Sequence, residues 1–382
     1  MCGITGYYHY KPLGTRTDDK IIEAMTSSLE HRGPDAEGFH KEDSITLGHR
    51  RLKVIDLEGG AQPMLSANKR HALTYNGEIY NFEDIRAALE KNKRVFKTRS
   101  DTESLLQALE TQWTDCLPHL EGMFAFACFD KKENKLLLAV DPYGKKPLYY
   151  SLQDGVIIFA SEPKALLKHP LVPKSVDEEA IALYMAFEYV PAPKTIYAGI
   201  SKLEGGTYLE IKNGEVNIQR YDNFPDEAEV HNTEGAWKAK LTEGLRSAVR
   251  KRLVSDVPLG VFLSGGLDSS AILASVRSLN PSQKIKTFTI GFDETSFDES
   301  HYARRVSEHF STEHIEEKLT IQDMLNQHEN ILGTLDEPLA DASYIPTFLL
   351  CKLVRQHVTV ALAGDGGDEV FCGYPTFTAE RL

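Results

Sequence analysis

"MCGITGYYHY", Met1–Tyr10, puts a cysteine directly behind the initiator methionine. If Met1 is removed, Cys2 becomes the chain-terminal residue and brings a thiol and an α-amine to one point. The ordinary pKa of such an amine, about 8, lets it accept a proton near neutrality, and sulfur is intrinsically nucleophilic, so the pair needs no histidine base. The plainer alternative is a small residue near the start of a strand. Residues far downstream decide between the two.

A chain of 382 residues exceeds the usual size of a single growing core, and two domains are expected. Its 43 basic and 56 acidic residues leave a formal charge of -13, which disfavours nonspecific binding to nucleic acid or acidic membranes. No apolar run approaches a transmembrane length, and the first residues lack the basic and apolar regions of a signal peptide, so a cytoplasmic location is expected. Cys2, Cys116, Cys128, Cys351 and Cys372 are dispersed and odd in number. They suggest neither a disulfide framework nor a zinc or iron–sulfur site.

In the first half, "HALTYNG" from His71, "GMFAFACFD" from Gly122, "KLLLAVD" from Lys135 and "GVIIFAS" from Gly155 are apolar runs bounded by turn residues and read as strands. "DKIIEAMTSSLE" and "DTESLLQALETQW" have helical spacing. The chain turns polar around Asn213–Thr233, where a boundary is expected. Beyond it, helix and strand patterns alternate: Leu241–Leu253, "VPLGVFLS", Asp268–Leu279, "IKTFTIGF", Tyr302–Phe310 and "HVTVALAGD". That rhythm predicts a mostly parallel sheet flanked by helices, with ligands beyond the carboxyl ends of its strands.

Six motifs stand in order along this half: "MCGITG" from Met1, "HRGPD" from His31, "GHRRL" from Gly48, "NGEIYN" from Asn76, "SDTE" from Ser100 and "GMFAFA" from Gly122. Together they resemble the class II glutamine amidotransferase domain. The resemblance implies an α+β N-terminal-nucleophile fold, a four-layer αββα arrangement with two stacked sheets between helices, over residues 1–212. It also implies that Cys2 attacks the side-chain amide of glutamine, releasing ammonia and then glutamate. Arg51 would hold the substrate carboxylate, for which a guanidinium fork is geometrically suited. Asn76 and the Gly77 amide would form the oxyanion hole, and Glu78 and Asp101 would bind the substrate ammonium. Taken singly, "NG" reads as a hairpin turn, Arg51 as a surface cation and Asp101 as a helix cap. In "DPYGKKPLYY", from Asp141, Val140 stands where relatives have arginine. Pro163 in "SEPKALL" is expected to disturb local pairing because proline has no amide donor.

After a connecting region at 213–235, "SGGLDSS", Ser264–Ser270, lies between a predicted strand and helix and offers amides and hydroxyls to an anion. It lacks the P-loop pattern GxxxxGK[ST]. With "FTIGF" from Phe288 and "GDGGDE" from Gly364, it resembles the ATP-pyrophosphatase part of the asparagine-synthetase family. The resemblance implies an α/β, adenine-nucleotide alpha-hydrolase-like domain over 236–382. ATP would contact Leu263, Ser264, Gly265, Gly266, Asp268, Ser269, Ser270, Ile290 and Gly364. Asp268 and Asp368 would contact Mg2+, and Asp365 and Glu369 are further acids of that site. Hard carboxylate oxygens suit magnesium. The implied reaction activates the aspartate β-carboxylate as an adenylate and delivers ammonia to it internally, giving asparagine, AMP and pyrophosphate. A homodimer is also implied. Ala363 and Cys372 depart from the family pattern, and relatives continue past the position of Leu382 with a catalytic lysine and part of the acceptor site. "DEPLADASYIP", Asp336–Pro346, leaves room for another carboxylate acceptor, such as a surface sugar acid. The shorter chain leaves room for a noncatalytic nucleotide-binding or regulatory protein.

Overall fold

The computed structural model describes residues 1–11, 19–222, 233–294, 296 and 298–380. The chain divides into two compact units, Met1–Ala228 with Leu335–Ala340, and Glu229–Thr334 with Asp341–Leu382. Among the described residues, no helix is long and apolar enough to cross a membrane.

The central strands of the first unit are buried on both faces. In Gly122–Asp130, Phe124, Phe126 and Cys128 point one way, and Ala125, Ala127 and Phe129 the other. This is the two-residue period of a strand. The inward set joins Ile4, Tyr8, Leu47, Leu138, Ile157 and Phe159 in a core between two six-stranded sheets. The outward set packs on Leu105, Leu106 and Leu109 of helix Asp101–Gln112. On the far side of the other sheet, Tyr7 and Ile158 meet Ile22 and Met25 of helix Asp19–Ser27. Helix, sheet, sheet and helix are therefore stacked as four layers, as expected. The continuous apolar runs follow from burial on both sides rather than from a parallel sheet.

One local expectation changes, that for Pro163, and two readings already made insufficient by the motif order, a hairpin at Asn76–Gly77 and a cap at Asp101, are absent. Asn76–Gly77 lies inside strand His71–Ile79 and is not a hairpin turn. Pro163 opens a short helix, Pro163–Leu166, at the position where a missing N–H costs no hydrogen bond. Ser100, not Asp101, caps the helix Asp101–Gln112 by accepting from the Thr102 amide at 3.1 Å. Strand Glu215–Arg220 pairs with Thr207–Lys212 inside the stretch expected to connect the halves. Part of that stretch, residues 223–232, lies outside the described residues.

The second unit holds a sheet of four parallel strands in the spatial order Glu313–Leu319, Lys286–Phe292, Leu259–Phe262, Val360–Leu362. The first strand in sequence, Leu259–Phe262, pairs with the second on one side and the fourth on the other, so the direction of winding reverses beside it. Such a switch point opens a crevice at the carboxyl ends of the two strands.

Candidate active sites

Strand pairing brings the first site together. Gly3 is opposite Arg50 in the antiparallel pair Gly3–His9 and Ile45–Arg51, which puts Cys2 beside the end of the partner strand. Its Sγ lies 3.7 Å from the Leu52 carbonyl oxygen. Burial pushes the thiol pKa up, while the Leu52 contact, the positive chain terminus and Arg51 pull it back. The resting thiol therefore keeps its proton and needs an acceptor. His49 is not placed for that task. Burial, with Arg51 nearby, pushes its pKa down to about 3, and its Nδ1 is 3.1 Å from Thr74 Oγ1, across the sandwich.

Arg51 is 6% exposed. It donates to the carbonyls of Leu57 at 3.1 Å and Asp56 at 2.6 Å, and more weakly to Ile55 at 3.4 Å. The loop that supplies those carbonyls is itself tied down, because Asp56 accepts from the Gly59 amide at 2.9 Å and the Arg99 amide at 2.8 Å. Arg51 is thus a held cation rather than a surface one, and its charge acts on Cys2 and Asp101.

The second sheet supplies the opposite wall. Asp101 is buried and accepts from Tyr75 Oη at 2.8 Å and the Ile79 amide at 3.1 Å. Burial raises its pKa and these bonds lower it. The same contacts fix the end of the strand that carries Asn76, Gly77 and Glu78. Asn76 is 1% exposed, and its Nδ2 has no hydrogen-bond partner among the described residues. A Cβ on Gly77 would collide with the Met123 carbonyl oxygen and Phe124 Cα, so close pairing of the strands explains the glycine. Glu78 is half-buried and acts electrostatically on Tyr75 and Lys146.

Lys146, Arg32 and Glu162 were not singled out from the sequence, yet they border this site. Lys146 is 6% exposed, and burial with Arg32 nearby brings its pKa down to about 8. Asp141 sets the turn before it by accepting from the amides of Phe124, Tyr143, Lys145 and Lys146 at 3.0–3.1 Å. The available signal was the aspartate of "DPYGKKPLYY", not the Val140 that precedes it. Arg32 Nε donates to the Cys2 carbonyl at 2.9 Å and its NH1 to Glu162 at 2.7 Å.

In the second unit, Ser264–Ser270 follows Leu259–Phe262, and Gly364–Glu369 follows Val360–Leu362. The two glycine loops therefore leave adjacent strands at the switch point. They touch: a Cβ on Gly364 would be 3.0 Å from Asp268 Cβ and the Ser269 amide, and Gly367 backs onto the Asp268 carboxylate. Gly265 has φ +83° and no room for a side chain against Tyr302 and Ala303. Ser264 Oγ lies 3.0 Å from Ser269 Oγ and accepts from the Gly266 amide at 3.2 Å. Helix Leu267–Leu279 starts there, with Asp268 in its first turn, and Ser270 already bonds back to Gly266. Leu263 is in the core and offers only its main chain. Ile290 lies on the neighbouring strand, two residues beyond the Phe288 that pairs with Phe262. Asp365 and Glu369 are exposed and Asp368 is half-buried. Among the described residues, no three His, Cys, Asp or Glu side chains converge as a metal site. Magnesium commonly takes one or two carboxylates and fills its other positions with phosphate oxygens and water. Asp268 and Asp368, on loops that touch, fit that smaller share.

A glutamine amidotransferase domain family model matches residues 1–222, and an asparagine synthase model matches residues 240–382. The chain is 36% identical to the glutamine-hydrolyzing asparagine synthetase 1 of Bacillus subtilis, over 98% of this chain and 59% of that protein. It is also 36% identical to a putative glutamine-hydrolyzing asparagine synthetase of Methanocaldococcus jannaschii, over 98% of this chain and 76% of that protein. Identity to asparagine synthetase B of Escherichia coli is 31%, over 99% and 65%. A solved glutamine phosphoribosylpyrophosphate amidotransferase from B. subtilis overlaps 75% of this chain and 65% of its own, at 18% identity and a TM-score of 0.43.

Proposed function

The chain belongs to the glutamine-hydrolysing asparagine synthetase family, and on that premise we propose that it contributes both halves of a glutamine-dependent amidation of aspartate. The observation that carries the reading is that Cys2, Arg51 and Asp101 act on one another electrostatically, with the buried, unpartnered Asn76 Nδ2 on the strand that Asp101 holds. Arg51 and Asp101 would hold the α-carboxylate and α-ammonium of glutamine, placing its side-chain amide against Cys2. The α-amine freed by loss of Met1 takes the thiol proton. Sulfur attacks the amide carbon, and the charge that develops on oxygen meets Asn76 Nδ2 and the Gly77 amide. Collapse, with the Cys2 α-ammonium returning its proton to the leaving nitrogen, expels ammonia and leaves a thioester, which water cleaves to glutamate and the free thiol.

In the second unit the paired glycine loops would hold ATP, with the amides after Ser264 facing phosphate oxygens. Asp268 and Asp368 would hold Mg2+, which when bound would offset phosphate charge during adenylyl transfer. Attack by the aspartate β-carboxylate on the α-phosphorus releases pyrophosphate, and ammonia then displaces AMP to give asparagine. The chain spans 59% of the length of the B. subtilis relative and 76% of that from M. jannaschii. The cytoplasm is the proposed location, supported by five cysteines that are all free, and a homodimer rests on the family resemblance. The test is incubation with glutamine, aspartate, ATP and Mg2+. Coupled release of glutamate, asparagine, AMP and pyrophosphate is expected; ADP in place of AMP refutes adenylation. Rapid turnover of another acid with none of aspartate refutes the acceptor.

A further inference from the structure

Leu335–Ala340 belongs to the first unit although the residues on both sides of it belong to the second. Both of its acids are engaged there. Asp336 Oδ2 accepts from the Lys164 amide at 2.9 Å, and its Oδ1 is 3.1 Å from Lys164 Nζ. Glu337 accepts from the Ile196 amide at 3.0 Å and Tyr149 Oη at 3.1 Å, and lies 3.3 Å from Lys202 Nζ. The Ala340 amide donates to the Glu188 carbonyl at 2.9 Å. The segment is therefore a strap fastened at three points.

From Asp336, contacts continue to the nucleophile. Lys164 Nζ is 3.1 Å from Glu162, and Glu162 accepts from Arg32 NH1 at 2.7 Å and is 2.9 Å from His31. Arg32 Nε then donates to the Cys2 carbonyl at 2.9 Å. The side chains of Arg32, Glu162 and Asp336 are 8%, 16% and 14% exposed and that of Lys164 is 29% exposed, so water replaces only part of what a cut would remove. Ser161, beside Glu162, grips the same strand: it donates from its amide to the Ile4 carbonyl at 2.9 Å and accepts from the Ile4 amide at 3.0 Å. Fixing the carbonyl and the strand behind it limits rotation about the Cys2 backbone, and that rotation sets where sulfur and α-amine lie.

We propose that the strap positions the nucleophile: Asp336 holds Lys164, Lys164 holds Glu162, and Glu162 aims Arg32 at the Cys2 carbonyl. Asp336 and Glu162 are positioning residues. They touch neither glutamine nor the reacting atoms. The proposal rests on Cys2 being the glutaminase nucleophile.

The test uses the full chain with Asp336→Asn, Glu162→Gln, the double variant and Asp336→Glu, comparing glutaminase kcat and KM with the rate of Cys2 alkylation by iodoacetamide. Displacement of a reacting group by about 1 Å costs up to a hundredfold, so each single variant should lose about tenfold or more in kcat and in alkylation rate, with KM changed less than about threefold. The double variant should be no slower than the slower single, because both cut one chain, and Asp336→Glu should restore most of the rate. Wild-type kcat and alkylation in Asp336→Asn, or losses that multiply in the double variant, overturn the proposal. Should Asp336→Asn fail to fold, Lys164→Met cuts the next link and is judged by the same outcomes. Cys2→Ala separates the two readings: retained hydrolysis sinks the nucleophile assignment itself, whereas its loss alongside a normal Asp336→Asn sinks only the strap.

Discussion

Replacing Asn76 with alanine should separate activity from stability. The side chain is 1% exposed and its Nδ2 has no partner among the described residues. Leaving a buried amide donor unpaired costs about 1–3 kcal/mol in the resting protein. Asn76→Ala removes that cost but vacates the volume of the carboxamide, which forfeits roughly 1–2 kcal/mol of packing. The two nearly cancel, so the unfolding midpoint of the first unit should move by no more than about 4 °C. Catalysis has no such compensation. Loss of one fixed donor to a developing oxyanion lowers kcat by about 10²–10³, or roughly 3–4 kcal/mol. Glutamate release at saturating glutamine measures the second quantity and thermal unfolding the first. A kcat within threefold of wild type refutes the oxyanion role. A fall in midpoint beyond about 8 °C that tracks the activity loss would make Asn76 a structural residue instead.

Cys2→Ala should abolish glutamine-driven amidation while leaving amidation from added ammonia; equal loss with both nitrogen sources contradicts separate sites. Arg51→Lys keeps the charge but loses the fork, so KM for glutamine should rise about 10–100-fold with kcat changed less, read from initial rates of glutamate release. Asp268→Asn should sharply lower AMP formation at every Mg2+ concentration while glutamine hydrolysis persists, and wild-type AMP output would return Asp268 to a purely structural role. Burial alone would raise the pKa of Glu162, but His31 and Arg32 bring it down from an ordinary 4.5 to about 2. A depressed carboxylate pKa contributes stability above pH 4.5 that is lost as pH falls toward 2. After allowance for solvent screening this amounts to about 2 kcal/mol, and Glu162→Gln should flatten the decline in unfolding midpoint between pH 5 and pH 3.

The elements most legible from the sequence were those whose apolar runs are buried on both sides. Phe124 through Phe129 and Leu136 through Val140 could be placed because strand period and burial agree there. The order of the motifs around Cys2, Arg51, Asn76 and Asp101 carried the resemblance that named the first site, although Asn76 lies inside its strand and not at the end of one. Glu162, Lys164 and Asp336 were less accessible. Each is an ordinary charge in its own neighbourhood, and its meaning comes from a partner up to 172 residues away. Asn76–Gly77 would suit a tight turn if taken alone, but it falls in the strand-like run "HALTYNG", and its place is set by its partners, Ala125 and Phe124. Pro163 showed the reverse: a residue that looked disruptive sits where a helix begins and no donor is needed.

The strap also bears on modular exchange. A hybrid enzyme made by one splice between residues 222 and 233 would take its first unit from one parent and Leu335–Ala340 from the other. Lys164, Lys202, Tyr149 and the Ile196 amide would then meet foreign partners in place of Asp336 and Glu337. If the strap positions Cys2 as proposed, such a hybrid would lose the glutamine hydrolysis proposed for the first unit with both candidate sites intact, and the loss would be mistaken for incompatibility between the two units. Transplanting the six strap residues along with the first unit removes the mismatch. Gene shuffling with this chain should therefore treat its first unit as a discontinuous module, inherited in two pieces.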